Sequence, residues 1–257
     1  MITARVQGSA PITEHKPFLL LTTRPEGDIA YEEYLSFLRA SQLPAVALHH
    51  LRLDLELPEQ PDIHKYSGII VGGSPYNFSD PDKSQTQLQI EGWLLELVGR
   101  CLEADFPFLG ACYGVGLLGY VGRGVTSRKY GEPAGGIYLT KTPDGAQDPI
   151  LNGLPERFGG HVGHLEACEV LPKEATLLVT GENCRVQMYR YGTCAYATQF
   201  HPELDLDGFH RRVVAYGGTY HEPGDELELV AVARERNSDQ AQRVLQNFVE
   251  IYRTPVA

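Results

Sequence analysis

Four short apolar segments in the first half of the chain have the pattern of buried strands. Each contains apolar residues at consecutive positions, so both faces of the strand would be covered. Helical segments separate them, and this alternation predicts a parallel sheet with helices on both faces. The four segments read KPFLLLTT, AVALHH, SGIIVGGSP and FPFLGA.

Two amphipathic helices are predicted between these strands. The first starts at Asp28, which would be its N-cap, and places Ile29, Tyr34, Leu35 and Leu38 on one face. The second covers SQTQLQIEGWLLELVGRCLEA and is longer. Its predicted apolar face consists of Leu88, Trp93, Leu94, Leu97, Val98 and Leu102.

The second half of the chain has a different pattern. The segments GGIYLTKT, ATLLVTGE, VQMYRYG and TCAYATQF resemble antiparallel strands. A short helix is predicted around residues 229–233, and a better one over SDQAQRVLQNFVEIY with Ser238 as its cap. No repeat, low-complexity block or linker is visible, so we expect one domain over residues 1–257.

One segment before these helices, RRVVAYGG, has two possible roles. It could cover a substrate entrance or complete the domain, and we expect the latter. Arg211 and Arg212 are expected on a solvated face.

Composition excludes several classes of function. Hydrophobic residues make up 42% and charged residues 21%, as in ordinary globular proteins. The 33 acidic and 22 basic residues give a net charge of −11, which argues against a nucleic-acid partner. There is no secretion signal at the N-terminus and no apolar run long enough to span a bilayer, so we expect a cytoplasmic protein without a membrane partner.

The five cysteines are expected to be reduced thiols. Their number is odd, and none belongs to a Cys-x-x-Cys pair, so neither a disulfide framework nor a zinc site is predicted. They are Cys101, Cys112, Cys168, Cys184 and Cys194.

Cys112 lies where a strand is predicted to turn abruptly into a helix. Gly110 and Gly114 occupy the second positions on either side, where a nucleophile elbow requires small residues. The following helix N-terminus would favour a thiolate at Cys112, and the N–H of Tyr113 would point towards an oxyanion. A buried structural cysteine between closely packed glycines would give the same pattern.

A base for this thiol is available in TQFHPE. In an extended segment His201 and Glu203 project to one side, so Glu203 could orient the imidazole while the imidazole serves Cys112. A plain surface turn is the alternative for this segment. A second oxyanion donor could come from the segment Gly72, Gly73 and Ser74, since glycines after a strand allow close backbone approach to a ligand.

In this order and at these intervals, GGSP, PFLGACYGVG and TQFHPE resemble the class I glutamine amidotransferases, and most closely the stand-alone proteins that look like the amidotransferase part of GMP synthetase. The resemblance implies a flavodoxin-like open, mainly parallel α/β sheet with helices on both faces and some antiparallel strands. It implies attack by Cys112 on the side-chain amide of glutamine, with a γ-glutamyl thioester, release of ammonia and then hydrolysis to glutamate. His201 would be the general base and acid, oriented by Glu203, with Gly73 and Tyr113 at the oxyanion hole.

The chain departs from this family at the substrate-binding residues. Many members have glutamine four residues after the nucleophile, whereas this chain has Gly116, which we expect to leave extra room. In GGHVGHLEAC, His164 and Glu166 would correspond to family residues that contact the substrate, but Gly163 replaces a serine. A metal site formed by His161, His164 and Cys168 fits no familiar spacing, and neither a metal nor a cofactor is expected.

Three functions are compatible with the sequence. The chain could be a glutaminase that supplies ammonia to a separate synthetase, or a hydrolase of other γ-glutamyl peptides or amides with the same triad. It could also be a non-catalytic regulatory module, although Cys112, His201 and Glu203 argue against this. The ammonia acceptor, the partner and the oligomeric state are not specified by the sequence.

Overall fold

A mixed sheet forms the centre of the molecule in the computed structural model, which describes residues 14–25 and 27–256. The expectation that the chain has no secretion signal rests on N-terminal residues that lie outside the described residues. The strands are β1 Phe18–Thr22, β2 Leu48–Arg52, β3 Ile69–Val71, β4 Phe108–Ala111, β5 Val125–Ser127, β6 Glu132–Lys141, β7 Arg157–His164, β8 Ala167–Val170, β9 Ala175–Gly181, β10 Met188–Tyr191 and β11 Ala195–Thr198. The helices are α1 Gly27–Ser41, α2 Gln85–Glu103, α3 Tyr113–Val121, α4 Leu206–Ala215, α5 Glu226–Glu235 and α6 Gln242–Tyr252.

The strand order of the main sheet is β2-β1-β3-β4-β11-β10-β9-β6-β7. The first five strands pair in parallel, in the order typical of flavodoxin-like folds. The remaining pairs are antiparallel, and β5 pairs with β8 in a separate two-stranded sheet. The predicted α/β sheet is therefore confirmed.

Helices cover both faces of the parallel strands, as the apolar pattern predicted. Alternate residues of β1 show this directly: Phe18 and Leu20 pack in one hydrophobic core, and Leu19 and Leu21 pack in another. The first core contains residues of α1 and α6, and the second contains residues of α2 and α3. The sheet is thus covered on both sides, and the carboxyl ends of its parallel strands remain available for a site.

Several sequence predictions need correction. The strand β11 is antiparallel only to β10, because it pairs in parallel with β4 on its other edge. Asp28 lies in the first turn of α1, which begins at Gly27, and Ser238 lies inside a buried 3-10 turn rather than at a helix cap. Leu88 is 49% exposed, because the inner face of α2 includes Gln87 and Glu91 instead.

All five cysteines are free thiols, and Cys112 is the one that is not fully buried. In the described ranges, none of the helices combines the length and the apolar character needed to cross a bilayer.

Candidate active site

The turn between β4 and α3 has the geometry of a nucleophile elbow. Cys112 has a φ of 53° and precedes the first residue of α3. A Cβ atom on Gly110 would lie 2.6 Å from the Cα atom of Gly114, so a side chain cannot fit at Gly110. The N–H of Tyr113 is at the first position of α3, where helix geometry gives it no partner inside the helix.

His201 and Glu203 follow β11, the parallel neighbour of β4, so the elbow and His201 lie at the same edge of the sheet. The His201 Nδ1 atom is 2.8 Å from Glu203 Oε1, and both side chains are buried. The backbone N–H of His201 donates to the carbonyl oxygen of His161 at 2.8 Å, which fixes this segment against β7. This arrangement can hold an imidazole in one orientation.

Cys112 and His201 line the same cavity, which has a volume of about 30 Å³. Helix α4 and the residues after it form much of its wall, including Arg212 and Tyr216. The expectation that this segment only completes the domain is therefore wrong. Arg212 is also not on a solvated face, because its side chain is 13% exposed and its Nη1 atom lies 3.0 Å from Glu203 Oε1.

Burial controls the protonation of the site. Burial raises the pKa of the Cys112 thiol to about 12, although nearby Arg24 and Arg212 oppose this increase. The expected preference for a thiolate is therefore not found, since desolvation outweighs the favourable charges. Burial also lowers the pKa of His201 to about 4, so its imidazole is neutral and can accept a proton near pH 7.

Glu203 is ionised beside this neutral imidazole. Burial alone would raise its pKa, but His201 and Arg212 lower it to about 2. Arg212 Nη1 also lies 3.0 Å from His201 Nδ1, which adds a positive charge on the side of the ring that faces Glu203. The resting site therefore combines a thiol, a neutral base and a carboxylate that could stabilise an imidazolium.

The segment after β3 forms another wall of the site. A Cβ atom on Gly73 would lie 2.7 Å from Arg24 Nη2 and 3.2 Å from His201 Cε1, so the position has no space for a side chain. A Cβ atom on Gly72 would meet the buried carboxylate of Glu33 at 3.1 Å. Ser74 lines the cavity, and its hydroxyl accepts hydrogen bonds from Thr23 Oγ1 and from the N–H of Tyr76.

The residues around Gly116 differ from expectation. Glycine here does not leave extra room, because the ring of Phe78 fills the space and a Cβ atom on Gly116 would lie 2.7 Å from it. Glu166 approaches the same point, and its carboxylate accepts the N–H groups of Phe78 and Ser79, each at 2.7 Å. Glu166 is thus committed to holding the loop between β3 and α2.

His164 points away from Glu166's carboxylate. Its Nδ1 atom donates to the carbonyl oxygen of Glu166 at 2.9 Å, and its Nε2 atom lies 3.0 Å from Glu132 Oε2. The predicted pair of substrate contacts, His164 and Glu166, therefore does not converge on one point. Gly163, by contrast, lines the cavity beside Cys112.

The alternative metal site is not assembled. His161 Nε2 lies 3.0 Å from Asp239 Oδ1, and the Cys168 thiol donates to a neighbouring backbone carbonyl. Within the described part of the chain, the potential ligands that do lie together are Glu132, His164 and Cys184. Glu132 also accepts a hydrogen bond from Gln187, as in an ordinary buried polar network.

Sequence reasoning missed a buried group of charges at the cavity. Arg24 Nε lies 3.2 Å from Glu33 Oε1, and Arg212 Nη2 lies 3.6 Å from the same oxygen. One signal was available: Glu33 falls between Ala30 and Phe37 on the buried face of α1, where a carboxylate requires a partner.

Comparison with known protein families identifies the family of this chain. The model of the family described as "Glutamine amidotransferase class-I" matches residues 38–216, which include the elbow and the His201–Glu203 pair. The chain belongs to the class I glutamine amidotransferase family. Arg24 and Glu33 lie before the residues that the family model matches.

The chain is also similar to individual proteins of known name. It is 29% identical to γ-glutamyl peptidase 3 of Arabidopsis thaliana over 60% of this chain and 61% of the relative. It is 28% identical to a glutamine-hydrolyzing GMP synthase subunit of Thermoplasma volcanium over 65% of this chain and 79% of the relative. The chain thus spans 61% of the length of the first of these relatives.

Solved structures support the fold. A crystal structure of a glutamine amidotransferase from Thermotoga maritima has a TM-score of 0.70 and 24% identity, covering 93% of this chain and 98% of the other. The flavodoxin-like sheet with its antiparallel extension is therefore the fold of a known amidotransferase.

Proposed function

We propose that the chain hydrolyses the side-chain amide of glutamine and releases ammonia through a thioester on Cys112. The supporting observation is that Cys112, at the elbow, lines one cavity with His201, which is oriented by Glu203 at 2.8 Å. Membership of the amidotransferase family agrees with this reaction.

In this mechanism, neutral His201 accepts the thiol proton as the Cys112 sulfur bonds to the amide carbon. The carbonyl electrons move to oxygen, where the N–H groups of Gly73 and Tyr113 would stabilise the negative charge. Glu203, which is ionised, stabilises the imidazolium. His201 then gives the proton to the leaving nitrogen, so ammonia departs and a γ-glutamyl thioester remains on Cys112.

Hydrolysis completes the cycle. His201 takes a proton from water as the water oxygen attacks the thioester carbon, and the carbon–sulfur bond breaks. Glutamate leaves, and Cys112 regains its proton. A thiol with a pKa of about 12 needs this transfer in each cycle, because it is not ionised beforehand.

A separate ammonia-using synthetase would be the partner. The similarity to the Thermoplasma volcanium GMP synthase protein, whose name describes it as one subunit of the enzyme, supports this proposal. Five free cysteines agree with a reducing compartment such as the cytoplasm.

A second substrate class is favoured by one specific observation. Phe78 fills the space beside Gly116, and Glu166 is bound to the loop that carries Phe78. The usual contacts to free glutamine are therefore altered, and a missing partner for a buried charge costs ~1–3 kcal/mol or more. Hydrolysis of γ-glutamyl peptides or amides would use the same triad, and similarity to a γ-glutamyl peptidase agrees with it.

Kinetics of the purified chain on glutamine and on a panel of γ-glutamyl peptides and amides would test both proposals. Mass spectrometry should identify an acyl group on Cys112, and an electrophilic glutamine analogue should label Cys112 while sparing Cys101, Cys168, Cys184 and Cys194. Cys112→Ser and His201→Ala should abolish turnover, whereas Glu203→Gln should only slow it.

The outcomes separate the alternatives. Ammonia release from glutamine supports the amidotransferase, and selective cleavage of a γ-glutamyl peptide supports the hydrolase. If the analogue labelled several cysteines equally in the folded protein, Cys112 would not be the nucleophile. If no substrate in the panel were turned over, the regulatory module would become the better explanation.

A further inference from the structure

A buried arginine lies beside the proposed nucleophile. Arg24 follows β1, is 5% exposed and lines the same cavity as Cys112. Its guanidinium is anchored on two sides, since Nε lies 3.2 Å from Glu33 Oε1 and Nη1 donates to the hydroxyl of Tyr216 at 2.9 Å. The side chain is therefore held in one position rather than free to point into solvent.

The third nitrogen of this guanidinium approaches Gly73. Arg24 Nη2 lies 2.7 Å from the point where a Cβ atom on Gly73 would be, and His201 Cε1 lies 3.2 Å from the same point. Arg24 and His201 thus approach the backbone of Gly73 together. The family resemblance implies that Gly73 lines the oxyanion hole, and a fixed positive charge at this place would then be close to the oxyanion on the attacked carbonyl.

The surrounding charges keep this cation balanced. Glu33 lies near both Arg24 and Arg212, and Arg212 contacts Glu203. Burial raises the pKa of Glu33, and the two arginines oppose this increase. A negative charge that develops at Cys112 would act on a cluster that includes the Arg24 cation.

We propose that Arg24 stabilises the negative charge that develops at Cys112 and on the attacked carbonyl oxygen. This inference rests on the proposed function. The guanidinium keeps its protons throughout: the thiol proton moves to His201, the sulfur–carbon bond forms, and the carbonyl electrons move to the oxygen. Arg24 contributes charge in addition to the N–H groups of Gly73 and Tyr113.

Two further observations agree with this role. Arg24 opposes the effect of burial on the pKa of Cys112, which places its charge within reach of the sulfur. Arg24 also lies outside residues 38–216, so the family match assigns it no role. The competing explanation is structural, in which Arg24 only connects α1 to the residue after α4 through Glu33 and Tyr216.

Alkylation of Cys112 by iodoacetamide separates these explanations without a known substrate. The rate would be measured against pH for the wild type, Arg24→Gln, Arg24→Lys and Arg24→Ala. We expect Arg24→Gln to move the alkylation profile to higher pH and to slow the reaction about tenfold at neutral pH. Arg24→Lys should be intermediate, and added methylguanidinium should partly restore Arg24→Ala.

A matched control comes from Arg39, a partly exposed arginine of α1 that pairs with Asp205. Arg39→Gln should alkylate like the wild type. With a substrate that the wild type turns over, Arg24→Gln should lower kcat by about 10²-fold and leave KM nearly unchanged, as expected for the loss of an oxyanion donor.

A folded Arg24→Gln variant with the wild-type alkylation profile would overturn the proposal and leave the structural explanation. If Arg24→Gln did not fold, the Arg24→Lys variant and the rescue of Arg24→Ala by methylguanidinium would test the proposal instead. A wild-type alkylation profile for Arg24→Lys, together with no rescue of Arg24→Ala, would refute the proposal. Failure of the proposed function would look different, because the wild type would then turn over no substrate even if its alkylation depended on Arg24.

Discussion

Phe78 Cδ2 lies 2.7 Å from the position that a Cβ atom on Gly116 would occupy. Phe78 is itself held by Glu166, whose carboxylate accepts its N–H at 2.7 Å. Glycine at residue 116 is therefore explained by packing against an aromatic ring. The loop that carries Phe78 and helix α3 form one packed unit next to the elbow.

Gly116→Ala should destabilise the protein by ~1–3 kcal/mol, because the added methyl group must displace the ring of Phe78. The free energy of unfolding would be measured with urea. Gly119→Ala in the same helix is the matched control, since its Cβ atom would be 3.4 Å from Thr126 Oγ1, an ordinary contact. This control should be neutral or more stable, because alanine favours a helix.

The double variant Gly116→Ala, Phe78→Ala should be destabilised by less than the sum of the two single variants, because removing the ring also removes the clash. Equal unfolding free energies for Gly116→Ala and Gly119→Ala would contradict the packing explanation.

Arg212→Met should reduce turnover strongly, whereas Arg211→Met should leave it unchanged. The two arginines are neighbours in α4, but Arg212 contacts Glu203 at 3.0 Å, and Arg211 is 49% exposed and pairs with Glu32 at the surface. Loss of Arg212 raises the pKa of Glu203 and leaves its buried charge without that partner. Steady-state rates at several pH values would measure the difference, and similar rates for both variants would show that Arg212 does not support the base.

The acid limb of kcat/KM should lie near pH 4 rather than near 6.5, because burial lowers the pKa of His201 to about 4 from its ordinary value of 6.5. The free energy of unfolding should change over the pH range between these two pKa values. Between pH 6.5 and about 4 the unfolded chain binds a proton that folded His201 does not, so the free energy of unfolding falls as the pH falls. The total loss is roughly 3 kcal/mol.

Urea unfolding of the wild type and His201→Asn across this range would test the effect. The variant should lose less stability as the pH falls through the window. Parallel curves for the two proteins would show that His201 is not the group that titrates.

Cys112→Gly should be more stable than Cys112→Ala by ~1 kcal/mol. The φ of 53° at this residue is unfavourable for any side chain, and glycine removes that strain although it also increases the entropy of the unfolded chain. Calorimetry of the two inactive variants compares them directly. Greater stability of the alanine variant would indicate that the elbow is not strained.

The elbow and the His-Pro-Glu segment could be predicted from sequence because their geometry depends on neighbouring residues. Gly110 and Gly114 flank Cys112 at fixed distances along the chain, so the pattern itself describes the turn. The apolar strands of the parallel sheet were equally clear, since each is continuous in sequence. Strand β7 was not predicted, because its glycines and histidines give no alternating pattern.

The charges of the site could not be predicted in the same way. Arg24, Glu33 and Arg212 are brought together from a loop after β1, from α1 and from α4, which only the tertiary fold makes neighbours. The interpretation of Gly116 as extra room was wrong for the same reason, because Phe78 is 38 residues earlier in the chain and its ring position depends on Glu166.

The position of α4 has a consequence for access to the site. The helix begins at Leu206, shortly after Glu203, and it both forms a wall of the cavity and carries Arg212. A movement of α4 away from the cavity would admit a larger molecule and would also withdraw Arg212 from Glu203. Entry of a substrate and the charge around His201 are therefore coupled, because Arg212 lowers the pKa of both His201 and Glu203. Closure of the site around its occupant would restore the ionised carboxylate beside a neutral imidazole.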